Sequence, residues 1–253
     1  MAAQMFAGGT GDIVVIGFQG VIRLAETQTV DVTIIGQTIH ASVWTLVAKA
    51  GSPIRNLYDL KGKRIGITAF GSLSDCQIRY ELQKIGLDPK KDVQLLALGD
   101  GPSQLAALQL GHADAVLQSS PILGGLLKRG EVQVALDMKN EKFVANVFIA
   151  RSKAIQANPS AYANFMRAYK EALHRIATDP GYATEIATYV WGTRFSAEDI
   201  QAQLKDYIDN YWSLDGVMTQ KEWELGKQIL IKCGASREDS FPSYDKLTEH
   251  APK

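Results

Sequence analysis

The sequence predicts an α/β protein made of two similar lobes and completed by a helical C-terminal part. Short β-rich runs alternate with amphipathic helices over residues 1–150, and the pattern turns helical after Arg151. Residues 9–15 (Gly-Thr-Gly-Asp-Ile-Val-Val) recur 102 positions later as residues 111–117 (Gly-His-Ala-Asp-Ala-Val-Leu). A duplicated α/β unit predicts two lobes that hold a ligand between them.

The individual elements follow from the same pattern in chain order. Apolar runs predict buried strands at 13–16, 30–35, 43–48, 63–68, 93–97, 114–117, 132–136 and 144–150. Helical periodicity predicts helices at 21–26, from Ser72 to a stop at Gly86, and at 104–110, with a loop at 17–20. Strands that alternate with helices in this way are typical of parallel sheets.

The C-terminal part carries helix start signals and one long apolar stripe. Asn158 is a predicted N-cap, with Pro159 at the first helical position. The stripe that follows predicts a core-facing helix and consists of Tyr162, Phe165, Met166, Tyr169, Leu173 and Ile176. Capping boxes at Ser196/Asp199 and Thr219/Glu222 predict two more helices.

The two strands near 35–42 and 143–150 are the expected connections between the lobes. They give a first lobe of residues 1–42 plus 144–253 and a second lobe of residues 43–143. Lobes joined by two or three strands can hinge about them.

Composition excludes several classes of function. The chain has 253 residues, of which 46% are hydrophobic, and its 27 basic and 27 acidic residues give a net charge of zero. This balance offers no basic surface for nucleic acid or an anionic membrane. No apolar run approaches the ~18 residues that a membrane span needs. The four histidines show no ligand spacing, so we expect neither a metal nor a cofactor.

The cysteines and the N-terminus carry little functional signal. Cys76 and Cys233 lie far apart, and neither belongs to a Cys-x-x-Cys pair. Cys76 lies in the first turn of a predicted helix, where a thiolate could be stabilised, but a small packed hydrophobic residue is the favoured interpretation. Residues 1–6 lack the basic and long apolar regions of a signal peptide.

The strongest local signal for a binding site is the turn between a strand and a helix at residues 65–74. Gly71 allows close approach of a ligand to the backbone, and the helix start offers free N–H groups beside the hydroxyls of Ser72 and Ser74. Such a turn suits a sulfonate, a carboxylate, a phosphate or a polar heterocycle. Alternatively, one serine merely caps its helix.

The 102-residue offset extends this site to further loops at the carboxyl ends of strands. Under that offset, Gly17-Phe18-Gln19 corresponds to Ser119-Ser120-Pro121, which follows Gln118. One aromatic and several polar side chains suit a small organic ligand. Gln37, Thr38 and His40 lie at an expected crossing and could line the cleft, although His40 is more simply a surface residue. Asp12 and Asp114 each begin a strand after a small turn, which favours a structural role.

No motif for catalysis is present in the sequence. A nucleophile elbow (Gly-x-Ser-x-Gly), a Walker loop and metal-binding motifs are all lacking, and the adjacent carboxylates at 198–199 and 238–239 fall in helical or tail segments. We therefore expect no enzymatic reaction.

The chain resembles the solute-binding components of bacterial ABC importers, and within them the nitrate/sulfonate/taurine type. The resemblance covers essentially the whole chain and rests on residues 52–66 (Ser-Pro-Ile-Arg-Asn-Leu-Tyr-Asp-Leu-Lys-Gly-Lys-Arg-Ile-Gly), Gly71-Ser72, 86–89 (Gly-Leu-Asp-Pro), 106–108 (Ala-Ala-Leu), 113–115 (Ala-Asp-Ala) and Asn158-Pro159. It implies the type 2 periplasmic-binding fold, in which two lobes close on a small solute that is then delivered to a permease.

The same resemblance implies the remaining functional expectations. The protein would be a monomer, periplasmic or lipid-anchored outside the membrane, without catalysis or cofactor. Its solute would be a sulfonate, nitrate, a carboxylate or a pyrimidine-like molecule. The ligand contacts that it implies are Gly71, Ser72, Ser74, Gly17, Phe18, Gln19, Gln118 and Ser119. Thr38 is expected to join them because of its place at the crossing, not because of the resemblance.

The chain departs from the family at its N-terminus. Members begin with a signal peptide and then a strand and a helix of the first lobe. In this sequence, the counterpart of the strand at 63–68 would fall upstream of Met1. We therefore expect a first lobe that is incomplete at its N-terminus, with an exposed sheet edge.

Two other functions share this fold. One is an enzyme of thiamine-pyrimidine or menaquinone-precursor biosynthesis; the thiamine-pyrimidine type would need a cysteine-rich segment. The other is the effector-binding domain of a LysR-type regulator, which would need a helix-turn-helix ahead of it.

Overall fold

The computed structural model describes residues 2–119, 122–139, 141–192 and 196–252. The chain forms two compact units. The first unit comprises Met1–Ala41, Lys142–Lys227 and Ser236–Lys253, and the second comprises Ser42–Glu141 and Gln228–Ala235. The lobes predicted from the sequence differ from these units mainly at 228–235, which lies with the second unit rather than the first.

Strands and helices alternate over the first half, and helices dominate the second. The strands are β1 Ile13–Gly17, β2 Thr33–Ala41, β3 Thr45–Lys49, β4 Arg64–Ile67, β5 Gln94–Ala97, β6 Ala115–Gln118, β7 Val132–Asp137 and β8 Lys142–Ala150. The helices are α1 Ala2–Ala7, α2 Phe18–Glu26, α3 Leu73–Lys84, α4 Gly101–Gln109, α5 Ile122–Lys128, α6 Ser152–Ala157, α7 Pro159–Thr178, α8 Pro180–Trp191, α9 Ala197–Asn210, α10 Gln220–Lys232 and α11 Tyr244–Thr248. This confirms the α/β class.

The sheet of the first unit is antiparallel, where the sequence pattern predicted parallel strands. Its order is β1-β8-β2, and β1 pairs with β8 from Ile13 opposite Ala150 to Gly17 opposite Asn146. The strand that returns from the second unit, β8, lies between the two early strands and runs against both. Periodicity along one strand carries no information about such an insertion.

Several apolar clusters hold the first unit together. In one of them, Phe18 packs edge-to-face on Trp223, with ring centroids 5.0 Å apart, and also contacts Phe241. In a second cluster, the predicted stripe of α7 packs Tyr162 and Met166 with strand residues such as Phe148. The prediction that this stripe faces a core is confirmed.

The sheet of the second unit has the order β5-β4-β6-β3-β7 among the described residues. Its β5, β4 and β6 strands are parallel, as the sequence predicts, while β3 is antiparallel to both β6 and β7. One cluster contains Ile65, Ile67 and Ile78, and a second contains Val116 and Leu108. Because β4 and β6 pair in parallel, their carboxyl ends lie side by side.

The internal repeat corresponds to a helix–strand–helix unit in each half. It forms α1–β1–α2 in the first unit and α4–β6–α5 in the second, and both strands begin at the predicted offset. The neighbours of the two strands differ. The β6 strand has β4 beside it in parallel, whereas within the described ranges β1 has only β8 as a neighbour and Val15 is 44% exposed.

Several predicted boundaries change locally. The α2 helix begins at Phe18, so the predicted loop at 17–20 is largely the first helical turn. The second strand extends from Thr33 to Ala41 rather than over 30–35. The predicted helix starts are confirmed: Ser196 accepts the Asp199 N–H at 3.1 Å as an N-cap, and Thr219 and Glu222 form the two reciprocal bonds of a capping box.

A disulfide joins Cys76 to Cys233 within the second unit. This corrects the interpretation of Cys76 as a small packed hydrophobic residue. The two cysteines are 157 positions apart in sequence, and the bond ties the segment after α10 to α3. Spacing alone cannot reveal such a pair.

None of the described helices is long and apolar enough to cross a membrane. Among the residues that the structure describes, no group of three or more histidine, cysteine, aspartate or glutamate side chains is placed so that it could hold a metal ion.

Candidate functional site

The turn between β4 and α3 has the backbone that the sequence suggested. Gly71 adopts a φ of 74°, which favours glycine, and no heavy atom lies within 4 Å of the position that a Cβ would take there. Ser72 is the N-cap of α3, and its Oγ accepts the backbone N–H of Asp75 at 3.4 Å. Ser72 therefore caps its helix, as the alternative interpretation of the sequence proposed.

The hydroxyls of this turn are engaged with one another. Ser72 Oγ donates to the carbonyl of Ala69 at 2.7 Å, and Thr68 Oγ1 donates to Ser72 Oγ at 2.9 Å. With the Thr68 hydrogen used in this way, Ser74 Oγ is the donor in its 2.8 Å contact with Thr68 Oγ1. Ser74 is also 1% exposed. The hydroxyl hydrogens of Thr68, Ser72 and Ser74 are therefore all used in hydrogen bonds within the turn.

An acidic side chain occupies the same helix start. Asp75 Oδ2 accepts the backbone N–H of Gly71 at 2.8 Å, and Asp75 Oδ1 accepts from Arg79 Nε at 2.6 Å. Asp75 is 5% exposed. A carboxylate in the first turn of a helix is stabilised by the helix dipole, and here it takes up an N–H that a bound anion would otherwise use. Sequence reasoning missed this residue.

Phe70 is a second residue that sequence reasoning missed. It precedes Gly71 in the turn and is 62% exposed. Its presence inside the predicted loop was the available signal, since an exposed aromatic beside a candidate site has an apolar face to offer a ligand.

Gln118 ends β6, the strand beside β4. It is fully buried, and its Nε2 donates to the Gly101 carbonyl at 3.1 Å. Its Oε1 is buried and has no hydrogen-bond partner in the described part of the chain. Ser119 is half-buried, with its carbonyl accepting from Leu123 N at 3.4 Å, whereas Ser120 and Pro121 lie outside the described residues.

The predicted contacts of the first unit divide into core and polar groups. Phe18 is 1% exposed, and its ring lies in the Trp223 cluster rather than at a surface. Gln19 folds back over Gly17, so that a Cβ there would lie 2.7 Å from Gln19 Oε1. Within the residues the structure covers, that Oε1 is buried and accepts no hydrogen bond.

On β2, the side chains of Gln37 and Thr38 differ in their hydrogen bonding. Thr38 Oγ1 donates to the Asn146 carbonyl at 3.1 Å, so this hydroxyl is used within the sheet. Gln37 is fully buried, and neither its Oε1 nor its Nε2 has a partner among the described residues. A buried carboxamide without any partner is costly, which makes Gln37 the most unusual polar residue of this unit.

His40 is half-buried in a charged cluster, which corrects the interpretation of a surface histidine. Its Nε2 lies 2.9 Å from Lys142 Nζ, and its Nδ1 lies 3.6 Å from Glu222 Oε1. Burial lowers the pKa of the imidazole from 6.5, and Lys142 lowers it further, against the opposing influence of Glu222 and Asp215. The cluster lies at the ends of the strands where the chain passes between the units.

Asp114 has the structural role predicted for it. It accepts hydrogen bonds from the backbone N–H, Nε and Nη2 of Arg64, at 2.8 to 3.1 Å, and thereby joins the starts of β4 and β6. These hydrogen bonds from Arg64 lower the pKa of the Asp114 carboxyl.

With this geometry established, comparison with known proteins identifies the family. A sequence model described as NMT1/THI5 like matches residues 1–183. The chain belongs to the NMT1/THI5-like family. A Brucella abortus (strain 2308) protein, named as a candidate binding protein, is 28% identical over 145 residues. That alignment spans 56% of this chain but only 44% of the Brucella protein, so the chain matches less than half of its curated relative.

Solved structures extend the likeness over nearly the whole chain. The periplasmic aliphatic sulphonate binding protein SsuA from Escherichia coli aligns with a TM-score of 0.76 and 19% identity, covering 99% of this chain and 84% of that one. The alkanesulfonate-binding protein SsuA from Xanthomonas axonopodis pv. citri, bound to MOPS, aligns with a TM-score of 0.64 and 18% identity, covering 80% and 68%. These structures establish the periplasmic-binding-protein fold expected from the resemblance.

Proposed function

We propose that this chain is the solute-binding component of an ABC importer, which captures a small solute and delivers it to a permease. The observation that carries the proposal is the family match over residues 1–183, together with a fold shared with E. coli SsuA over 99% of the chain. Both SsuA proteins are named as sulfonate-binding proteins. The solute proposed from this likeness is a small organic or anionic molecule: a sulfonate such as taurine, nitrate, a carboxylate or a pyrimidine-like compound.

The proposed contacts follow from the two units taken separately. In the second unit they are Gly71, Ser72, Gln118 and Ser119, at the carboxyl ends of parallel strands where open α/β sheets bind ligands. In the first unit they are Gly17 and Gln19, where β1 passes into α2, and the buried carboxamide of Gln37 on β2. Ser72 is proposed to act through its backbone, and Ser74, Phe18 and Thr38 are proposed to act indirectly, because the side chains of all four are packed or hydrogen-bonded within the fold.

The proposed protein is a monomer without catalytic activity, and its partners are the membrane subunits of the transporter. We propose that it works outside the cytoplasm. The Cys76–Cys233 disulfide supports this location, because disulfides form and persist in oxidising compartments and are rare in the bacterial cytosol.

Thermal unfolding of the oxidised protein tests the proposal. The probes are taurine, ethanesulfonate, nitrate, benzoate, benzamide and 4-aminopyrimidine. A solute at about one hundred times its Kd raises the free energy of unfolding by about 2.7 kcal/mol, so a true solute gives a clear rise in midpoint. NMR of the recovered solute should show it unchanged. A solute that is chemically consumed, or the absence of stabilisation by any probe, would contradict the proposed function.

A further inference from the structure

A pocket of about 210 Å³ lies in the second unit at the amino-terminal ends of β4 and β6, and we name it the lysine pocket. Its lining includes Lys49, which ends the antiparallel strand β3, Lys63, which precedes β4, and Asp114, which precedes β6. The solute contacts proposed for this unit follow the opposite, carboxyl ends of β4 and β6. Part of the lining comes from the stretch 52–66, which carries the family resemblance and contains none of those contacts.

The two lysines of this pocket form no ion pair within the described ranges. Lys61, a neighbour in the same unit, shows the contrast, because its Nζ lies 3.5 Å from Asp92 Oδ1. Lys49 is exposed and Lys63 is half-buried, and both line a concave surface. The lysine pocket therefore holds two cationic groups whose N–H donors remain available to a ligand.

The acceptors in the lining are already satisfied. Asp114 Oδ2 accepts from the backbone N–H and Nε of Arg64, and Asp114 Oδ1 accepts from Arg64 Nη2, so a guanidinium neutralises this carboxylate. The same Nη2 donates to the Gly111 carbonyl at 2.8 Å. Lys63 acts on Asp114 only at longer range, as a minor cause of its lowered pKa. The lining thus has donors to offer and few acceptors.

Ser52 adds a further donor to the lysine pocket. Its Oγ accepts the backbone N–H of Ile54 at 3.2 Å, and its carbonyl accepts from Gln133 Nε2 at 2.8 Å. The hydroxyl hydrogen itself has no acceptor in the part of the chain that the structure describes. An anion in this pocket can accept from the hydroxyl as well as from the lysines, and hydrogen bonds to an ionised acceptor are the stronger kind.

The lysine pocket continues into a second pocket of about 300 Å³ that shares Lys49 and Leu108 with it. Leu105 extends the apolar lining there, and Leu108 is nearly fully buried beneath both pockets. Glu131 also lines the second pocket, but it is paired with Arg129. An unpaired charge is therefore found at the lysines, and an apolar surface leads away from them.

We infer that the two pockets form a binding site for an organic anion with an apolar chain, of the medium-chain carboxylate class. The carboxylate lies beside Lys49 and Lys63, and the chain lies along Leu108 and Leu105. Lysine is a point charge that pairs with a carboxylate without a fixed geometry, and burial of the chain adds a hydrophobic contribution. This site is additional to the proposed solute site, because it lies at the other ends of the strands.

Titration calorimetry with octanoate on the oxidised full chain tests the inference. Butanoate has the same head and a shorter chain, and octyltrimethylammonium has the same chain and the opposite charge. We expect octanoate to bind about tenfold more tightly than either, because only octanoate satisfies both the lysines and the apolar surface. Octanoate that fails to bind, or binds no more tightly than either matched probe, would overturn the inference. The proposed function would stand, since its contacts lie elsewhere.

Substitutions that remove charge locate the site. Lys49→Gln and Lys63→Gln should each weaken octanoate binding by about fivefold, and the unfolding midpoint without ligand should change little because neither lysine forms an ion pair. Lys61→Gln is the matched control: it removes the same charge from a side chain that is 73% exposed and paired with Asp92, and it should leave the affinity unchanged. An equal loss in all three variants, or no loss in Lys49→Gln and Lys63→Gln, would place octanoate elsewhere and overturn the inference.

Discussion

Asp75 Oδ2 lies 2.8 Å from the backbone nitrogen of Gly71 and accepts its hydrogen. Together with the hydroxyls of Thr68, Ser72 and Ser74, this bond fixes the turn between β4 and α3 from within. Because the turn needs no ligand to satisfy its polar groups, it is organised before a solute arrives. Such preorganisation reduces the ordering cost of binding.

Because Ser72 is an N-cap, removing its hydroxyl should lower the stability of the protein while leaving its affinity for solute nearly unchanged. Ser72→Ala should lower the free energy of unfolding by about 1 kcal/mol, because α3 loses its cap. Solute affinity should change less than twofold, since the Ser72 hydroxyl hydrogen is donated to Ala69. Chemical denaturation and calorimetry measure the two effects. Ser243→Ala, which removes the cap of α11, is the control. A tenfold loss of affinity in Ser72→Ala alone would show that the hydroxyl contacts solute.

Gln37 and Gln104 are both fully buried glutamines with opposite hydrogen bonding. Gln104 donates to the Gly99 carbonyl at 3.0 Å and accepts from Leu117 N at 3.2 Å, whereas Gln37 has no side-chain partner in the described ranges. Gln104→Met should therefore cost about 1–3 kcal/mol of unfolding free energy. Gln37→Met should raise it by about 1 kcal/mol, because an unsatisfied buried amide is removed.

Denaturant titrations without solute measure the free energies of unfolding of Gln37→Met and Gln104→Met for comparison with the wild-type chain. Loss of more than 1 kcal/mol in Gln37→Met would mean that its amide stabilises the free protein.

Reduction of the Cys76–Cys233 disulfide should destabilise the second unit. The bond closes a long loop, and removal of a native disulfide typically costs about 2–5 kcal/mol. We expect a lower unfolding midpoint after treatment with dithiothreitol, and the same midpoint for the Cys76→Ser, Cys233→Ser double variant. The double variant with dithiothreitol added is the control and should show no further change. A wild-type midpoint unaffected by full reduction would contradict the prediction.

The His40 cluster predicts a pH dependence of stability. Burial, reinforced by Lys142, lowers the pKa of His40 in the folded protein below its ordinary value of 6.5. The unfolded chain therefore binds a proton more readily than the folded chain, and stability falls as pH drops below about 6.5. His40→Gln should flatten the stability profile between about pH 7.5 and 5.5. The exposed His112→Gln is the control, and an equal effect of both variants would exclude His40 as the source.

The sequence predicts much of the fold because its signals are local. The 102-residue repeat gives the starts of β1 and β6, and the capping boxes give the starts of α9 and α10. The antiparallel sheet of the first unit was not predictable, since the insertion of β8 between β1 and β2 depends on strand order and not on periodicity.

The site was predicted less completely, for a related reason. Gly71 and Ser72 were identified because backbone and capping preferences are read from neighbouring residues. The role of Asp75 and the isolation of the Gln37 amide depend on which atoms tertiary packing brings together. The Cys76–Cys233 bond shows the same limit, because 157 positions separate the two residues.

Among the described residues β1 pairs with another strand on one side only, and this has a practical consequence for anyone handling the protein. Any extended peptide that reaches this strand finds backbone donors and acceptors at the spacing of a sheet, and a second molecule at high concentration can supply one. Yield and shelf life should accordingly vary with protein concentration even under conditions far from the unfolding midpoint. Crystallisation trials and light-scattering runs are best begun from dilute stocks, and clouding during concentration would point to strand annealing rather than to loss of the native core.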